Sequence, residues 1–309
     1  MTKIVVHGVH RSGTSFWASL LEKAGCWYAE DEYKMLPQKD NLKGFWERTD
    51  VVELNDRLLA ELNLNWFTLN PSIQEQRYTE LKQVFEEQII EVVHRLEKHD
   101  NWFLKDPRLS MTWTLWSDHL KPTHHLVVHR HPISVAKSLN RRNGVSIHHG
   151  LIFWYHQTRM IAKSLVSQNN VLNVQFDAQD GVAEQYDSIL NGLFNADPNY
   201  KKLELEDINA LFESKLINHQ YTNEEVLDQE TLKVYEIVSK AWGLAVNGEF
   251  QKLLNLPEFE TADFSWHELD SSYTTRILNQ KLEREIAQYQ GEVKGYSNQI
   301  TEFLSLIHI

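Results

Sequence analysis

The segment that decides the fold is G-V-H-R-S-G-T-S at residues 8–15, which follows the apolar run of residues 4–6 and precedes the largely apolar residues 16–21. This order predicts a strand, a glycine-bounded loop and the start of a helix. The loop fits the phosphate-loop pattern G-x-x-x-x-G-K-[ST] except that Thr14 replaces the lysine. Such a loop and helix N-terminus bind anions. The missing lysine and the internal Arg11 favour a phosphate ester over ATP or GTP with Mg²⁺.

Two further segments carry basic residues at strand ends. Residues 124–138 read H-H-L-V-V-H-R-H-P-I-S-V-A-K-S, which predicts a buried strand followed by Arg130 and a helix that contains Ser138. Arginine offers a planar fork to a phosphate, and serine adds a hydroxyl donor. Residues 101–108 read N-W-F-L-K-D-P-R, a short apolar strand that ends in Lys105. Each segment alone is a weak signal, and the segment at residues 124–138 becomes a strong one when it is paired with the loop at residues 8–15.

Together these segments resemble the family of sulfotransferases that use 3′-phosphoadenosine 5′-phosphosulfate (PAPS), in its bacterial-type branch, with motif similarity to tyrosylprotein sulfotransferases. R-S-G-T-S at residues 11–15 matches the family's 5′-phosphosulfate loop. Arg130, Pro132 and Ser138 have the spacing of its 3′-phosphate motif, and K-D-P at residues 105–107 is similar to a segment whose lysine approaches the sulfate.

The resemblance implies PAPS as co-substrate, no metal, and Arg11 and Lys105 as catalytic cations. It also implies a sulfuryl acceptor with a hydroxyl, or less readily an amine, on a carbohydrate or small molecule. Phe16 stands where the family often has an aromatic residue against adenine. The implied cofactor-binding residues are His10, Arg11, Ser12, Gly13, Thr14, Ser15, Phe16, Arg130 and Ser138.

Two carboxylates are candidates for the general base. Pro107 stands where cytosolic members of the family carry a histidine base, which favours a carboxylate instead. Glu47 ends the segment G-F-W-E, which resembles one that bacterial members often carry, and its aromatic neighbours would raise its pKa by desolvation. Glu32, in the acidic run of residues 30–32, is the alternative by analogy with tyrosylprotein sulfotransferases. We favour Glu47, since a charged run is more often a solvated loop.

The predicted fold class is α/β, a three-layer parallel sheet flanked by helices, because strands and helices alternate along the chain. Phosphate loops at the C-terminal ends of such strands follow the binding rule for these sheets. The predicted strands are residues 3–8, 101–105, 124–129 and 170–176. The predicted helices are residues 14–25, 50–63, 75–98, 111–119, 132–141, 148–168, 181–194, 205–216 and 229–243.

The predicted domain covers residues 1–256, and residues 257–273 are a predicted linker. In residues 274–303 apolar positions recur in steps of three and four, which indicates a helix or coiled coil that would allow homo-oligomer formation. The final residues 304–309, L-S-L-I-H-I, coincide with a translation of a common sequencing adapter. We interpret them as an artefact and expect the natural chain to continue beyond residue 303.

Composition narrows the function classes. The chain has 309 residues, and a formal net charge of −12 disfavours nucleic acid as partner. The single cysteine excludes an internal disulfide, and with no signal peptide or long apolar run we expect a cytoplasmic protein without a membrane span. Histidines 124, 125, 129 and 131 lie on or beside one strand, which cannot aim all four at one metal. Two alternatives stay open: a phosphate-loop kinase or nucleotide-binding protein, and an inactive scaffold that uses the coiled coil.

Overall fold

The computed structural model describes residues 1–36, 44–69, 75–176, 181–194, 200–204, 206, 208 and 227–259. Its strands are β1 (Thr2–His7), β2 (Asn101–Lys105), β3 (His124–His129) and β4 (Val171–Gln175). Its α-helices are α1 (Thr14–Lys23), α2 (Thr49–Glu61), α3 (Glu75–Leu96), α4 (Leu109–Trp116), α5 (Pro132–Asn143), α6 (Ile147–Leu165), α7 (Val182–Phe194), α8 (Gln229–Val246) and α9 (Phe250–Leu254). A short 3₁₀ helix covers Asp31–Tyr33.

The four strands form one parallel sheet in the order β2-β1-β3-β4. Strand β1 lies between β2 and β3, with Ile4 level with Phe103 on one side and His124 on the other. Parallel strands present their carboxyl ends at the same edge of a sheet, so the segments after β1, β2 and β3 emerge side by side. This edge therefore brings together the three sequence segments that carry the predicted site.

Both faces of the sheet are covered, which explains the apolar runs in the middle of β1, β2 and β3. Ile4 and Val6 point to one face, where they pack in a core with residues of α1 and α7. Val5 points to the other face and packs with residues of α2, α3 and α4. The alternation of side chains along a strand places successive residues in different layers. The predicted α/β architecture, a parallel sheet between helices, is confirmed.

All four predicted strands are confirmed within a residue or two. Most predicted helices are also present, and the largest shift is in α4, which begins at Leu109 and ends at Trp116 instead of covering 111–119. Its earlier start follows from a turn in which the Leu109 amide donates to the Asp106 carbonyl at 3.0 Å. The 3₁₀ helix and α9 were not predicted. The predicted helix at 205–216, most of the linker, the coiled coil and residues 304–309 lie outside the described residues.

Helix α9 is tied to α6 by one arginine. Arg159 Nη1 donates to the carbonyl oxygens of Leu253, Leu254 and Leu256 at 3.0–3.2 Å. Leu253 and Leu254 close α9 and Leu256 follows it, so Arg159 donates where the end of a helix leaves acceptors without intrahelical partners. Among the helices in the described ranges, none combines the length and apolar character that a membrane crossing requires.

Candidate active site

The loop after β1 has the backbone of an anion-binding turn. Gly13, with φ +92°, lies directly before α1 and offers no side chain to cap it. The first N–H groups of a helix have no intrahelical acceptor, so they are available to an anion. Thr14 is buried, and its methyl group lies so close to Gly8 that a Cβ on Gly8 would be 2.6 Å away. Thr14, which stands in place of the usual lysine, therefore packs against the loop and adds no positive charge.

Gly13 is required by an aromatic ring that the sequence did not indicate. A Cβ placed on Gly13 would lie 2.2 Å from Cγ of Phe176, the residue that follows β4. Phe176 also meets Phe16 edge-on, with ring centroids 5.7 Å apart. On the Phe176 ring lies the guanidinium of Arg130, 5.3 Å from the centroid. Phe16, predicted to pack on adenine, thus belongs to an aromatic layer beside Arg130.

One side of the loop joins the predicted 3′-phosphate residues to Arg11. Arg11 Nε donates to Ser138 Oγ at 3.0 Å, and Arg130 Nη1 donates to the carbonyl of Arg11 at 3.0 Å. Arg11 adopts φ +72°, which is uncommon for a residue with a Cβ and occurs where surrounding contacts impose it. The motifs after β1 and β3, far apart in sequence, therefore form one cationic cluster.

The other side of the loop holds Lys105, from the end of β2. Lys105 Nζ donates to Ser15 Oγ at 3.2 Å and to the Phe45 carbonyl at 3.1 Å, and it forms a short ion pair with Glu47. Ser15 also donates to the Phe45 carbonyl, at 3.3 Å. Lys105 and Glu47 are both buried. A cation and a carboxylate thus meet at the N-terminus of α1.

Four contacts hold the segment that carries Glu47. Trp46 has φ +52° and donates from Nε1 to Glu22 at 2.6 Å, while the Glu47 carbonyl accepts from the Met35 amide at 3.0 Å. The next residue, Arg48, is 1% exposed and pairs with both carboxylate oxygens of Asp50 at 2.8–3.0 Å. A left-handed tryptophan costs about 1 kcal/mol or more. These contacts over-determine the turn that directs Glu47 inward.

The environment of Glu47 favours a proton acceptor. Burial raises the pKa of the Glu47 carboxyl above its usual value, and the ammonium of Lys105 opposes that rise, whereas the Asp106 carboxylate adds to it. A carboxylate poised in this way is suited to accept a proton near neutral pH. The structure therefore brings the favoured base candidate to the loop.

Glu32, the alternative base, lies elsewhere. It is exposed in the 3₁₀ helix and makes no hydrogen bond or ion pair with any described residue. Its neighbour Glu30 pairs with Arg48 at 3.1 Å, so the acidic run supports the Glu47 segment from outside. Glu32 is not brought to Lys105 in the described part of the chain.

His10 Nε2 and Ser12 Oγ, on residues that we predicted to bind the cofactor, form no hydrogen bond with the two clusters or with any other described residue. The His10 ring stacks at a tilt on Trp66, with centroids 4.6 Å apart, and lies 6.3 Å from the ring of Phe153. Burial is the main reason that the pKa of His10 lies well below its usual value, and nearby cations, Arg108 first among them, lower it further. The ring is therefore neutral. Ser12 Oγ has no hydrogen-bond partner among the described residues and lines a cavity of about 10 Å³, roughly the size for one water.

Both oxygens of the Asp106 carboxylate accept hydrogen bonds. Oδ2 accepts from Asn55 Nδ2 at 2.9 Å, and Oδ1 accepts from the backbone N–H of Arg108 at 2.9 Å and from its Nη1 at 3.1 Å. Asp106 and Asn55 are both fully buried. No group of three or more His, Cys, Asp or Glu side chains within the described ranges is placed to hold a metal ion. The histidines of β3 have other contacts: His125 lies 3.0 Å from His7, and His129 lies 2.8 Å from Asn173.

Comparisons with known proteins give one similar structure. No family model and no curated protein matches the chain. Among solved structures, the sulfotransferase domain from the Synechococcus PCC 7002 olefin synthase is similar, with a TM-score of 0.42 and 12% sequence identity. The match covers 77% of this chain and 94% of that domain. At this level of similarity the match carries no argument about the function of this chain.

Sequence reasoning missed Phe176, Asn55 and the carbonyl of Phe45. Phe176 is the residue after β4, so its place at the carboxyl edge of the sheet was a usable signal. Asn55 had none, because an asparagine in the middle of α2 reads as an ordinary helix position. A backbone carbonyl leaves no trace in the sequence.

Proposed function

We propose that this protein is a sulfotransferase that moves the sulfuryl group of PAPS to a hydroxyl group of a carbohydrate or small-molecule acceptor, or less readily to an amine. The observation that carries the proposal is the buried contact of Lys105 with both Ser15 and Glu47 at the N-terminus of α1. An anion-binding loop, a cation and a carboxylate base are the parts that sulfuryl transfer requires.

The two clusters suit the two anionic ends of PAPS. Arg130 and Ser138 would hold the 3′-phosphate, since a guanidinium and a hydroxyl donate charge-assisted hydrogen bonds to phosphate oxygens. The N–H groups of the first turn of α1, with Ser15, would hold the 5′-phosphate. Arg11, which belongs to the loop and donates to Ser138, links these two sets. The ligand supplies the activated sulfuryl group, and these residues supply its position.

The chemistry assigns one proton and one bond exchange to named groups. Glu47 accepts the proton of the acceptor hydroxyl as the oxygen forms a bond to sulfur. The bond from sulfur to the bridging oxygen of the 5′-phosphate breaks, and 3′-phosphoadenosine 5′-phosphate (PAP) leaves. Lys105 Nζ, which contacts both Ser15 and Glu47, stabilises the charge on the transferring oxygens and the leaving group.

The kinase alternative has less support. A Mg²⁺–nucleotide site would use the loop lysine and an acidic residue at a strand end. Here Thr14 packs against Gly8, and the Asp106 carboxylate is already engaged by Asn55 and Arg108. The scaffold alternative also has less support, because the residues that transfer requires are all present and Lys105 contacts both Ser15 and Glu47.

Calorimetry and a transfer assay together test the proposal. We expect PAP to bind and ATP to bind at least about tenfold more weakly. Label from radioactive PAPS should reach an acceptor in a panel of sugars, phenols and amines, and EDTA should leave the rate unchanged. Arg11→Ala should lower turnover by roughly 10²-fold. Binding of ATP in preference to PAP, or activity that EDTA removes and Mg²⁺ restores, would favour the kinase instead.

A further inference from the structure

Lys105 and Glu47 are connected by their ion pair and also by a second route, through α2, Asn55 and Asp106. Glu47 leads through Arg48 directly into α2, and one residue of that helix, Asn55, bonds the carboxylate of Asp106. Asp106 is the residue next to Lys105. The chain from Glu47 along α2 to Asn55, across to Asp106 and on to Lys105 is therefore a closed ring.

The direction of each hydrogen bond at Asn55 is fixed by its partners. Trp116 Nε1 donates to Asn55 Oδ1 at 2.9 Å, and Thr112 Oγ1 donates to the same oxygen at 2.9 Å. Since an indole N–H can only donate, the amide oxygen of Asn55 must face Trp116 and its amino group must face Asp106. Asp106 thus receives donors on both oxygens, from Asn55 on one and from Arg108 on the other.

We propose that Asn55 is a positioning residue for sulfuryl transfer, which sets the place of Lys105 relative to Glu47 through its hydrogen bond to Asp106. The inference rests on the proposed function, because it gives a role in transfer to residues that touch neither cofactor nor acceptor. Asn55 and Asp106 are fully buried with satisfied polar groups, so the link has one low-energy arrangement. A reacting group misplaced by about 1 Å loses roughly 10²-fold in rate.

Asn55→Asp is the sharpest perturbation. The new carboxylate keeps an oxygen for Trp116 and Thr112 but turns its other oxygen, an acceptor, toward the acceptor oxygen of Asp106. Combining it with Asp106→Asn restores the bond in reverse: the amide of residue 106 donates to the carboxylate of residue 55. The amide oxygen of residue 106 still accepts from Arg108. The double variant has the net charge of the parent and the same number of hydrogen bonds.

Thr112→Val is the matched control. It removes one of the two donors to Asn55 Oδ1 without touching the bond between Asn55 and Asp106. Thermal unfolding and PAP affinity are measured for every protein, so that loss of fold is separated from loss of rate. Asn55→Ser, too short to reach Asp106, serves as a second variant if Asn55→Asp does not fold.

Turnover is measured with radiolabelled PAPS and with phenol and N-acetylglucosamine as acceptors. We expect Asn55→Asp, or Asn55→Ser, to lower kcat by at least about 10²-fold with PAP affinity within about threefold of the parent. The double variant should recover to within about tenfold of the parent, and Thr112→Val should keep its kcat within about threefold. We expect this pattern if Asn55 acts by positioning Lys105, and not if it only contributes to the stability of the fold.

Two results overturn the inference in different ways. The first applies if the parent transfers the sulfuryl group. Asn55 is then structural only if kcat falls in proportion to the loss of stability in both Thr112→Val and the Asn55 variant, or if the double variant does not recover kcat. If the parent neither binds PAP nor transfers sulfate, the proposed function fails and the inference falls with it.

Discussion

The ion pair between Lys105 and Glu47 gives a prediction that needs no acceptor. We consider three variants: Lys105→Met, Glu47→Leu, and the two together. Methionine and leucine keep much of the side-chain volume, so the effects report mainly on charge and hydrogen bonds. Each single variant leaves one buried ionisable group without its partner, whereas the double variant leaves none.

The magnitude follows from burial. The side chains of Lys105 and Glu47 are 2% and 8% exposed. Breaking such a buried pair from one side costs roughly 3–5 kcal/mol, while replacing both partners by apolar groups is often close to neutral. Lys105→Met also removes bonds to Ser15 and Phe45, but Ser15 still donates to the Phe45 carbonyl, so that loss is small. We expect about 3–5 kcal/mol for each single variant and a smaller loss for the double variant than for either single one, so the coupling free energy should exceed about 3 kcal/mol.

The penalty of Lys105→Met should also depend on pH. Without the ammonium, burial and the Asp106 carboxylate both raise the pKa of Glu47 and nothing from Lys105 opposes them. The folded variant then holds a proton that the unfolded chain releases. Its stability relative to the parent should therefore fall as pH rises above the ordinary carboxyl range.

Denaturant unfolding of the four proteins at several pH values measures the cycle. A loss of 3–5 kcal/mol corresponds to roughly 6–20 °C in Tm for a domain of this size. A coupling free energy below about 0.5 kcal/mol, or a Lys105→Met penalty that does not change with pH, would refute the reasoning. Either result would mean that the pair is solvated or that Glu47 is not the partner of Lys105.

Three further predictions concern the cofactor, the base and the loop. Arg130→Ala should weaken PAP binding by roughly 10²-fold in calorimetry and change binding of an analogue without the 3′-phosphate much less, since it removes a charge-assisted pair; equal losses would contradict the assignment. Glu47→Gln should lower turnover by roughly 10²–10⁴-fold with PAP affinity nearly unchanged, and Glu32→Gln should do far less; the reverse order would exchange their roles. Gly13→Ala should destabilise the fold, because Gly13 has a φ of +92° and the new methyl group would clash with a neighbouring ring. The control is Gly192→Ala in α7, where nothing lies within 4 Å of the new methyl group; this change should stabilise the fold by about 0.5–1 kcal/mol. Similar unfolding midpoints for the two variants would exclude the steric argument.

The fold was predictable because its signals are local and periodic. Both faces of the sheet are covered, so the central residues of β1, β2 and β3 are consecutive apolar residues. Such runs can be recognised in the sequence as buried strands. Boundaries were less accurate where tertiary contacts decide them. Helix α4 begins early because Asp106 accepts hydrogen bonds from the residues that open the turn, and such a contact leaves no period in the sequence.

The place of the candidate site was predictable, because its motifs lie at strand ends that meet at one edge of the sheet. Lys105 and Glu47 were named from separate segments, but their ion pair was not predicted, because pairing across 58 positions depends on how α2 and β2 pack. Asn55 and Phe176 were missed for the same reason: each acts through a neighbour distant in sequence. Residue type and spacing identify groups that bind or react, and they leave open which groups hold these in place.

The strand order explains how motifs so far apart in sequence meet at one edge of the sheet, where we propose that they bind one ligand. In the order β2-β1-β3, the loop-bearing strand is central, so Lys105 emerges on one side of the loop and Arg130 on the other. Two inter-strand spacings separate the ends of β2 and β3, about 10 Å. A single small anion needs only the loop and the N-terminus of α1. Cations on both sides of the loop suit a ligand with two anionic groups held apart by a nucleoside, and this spacing follows from the sheet, not from any one motif.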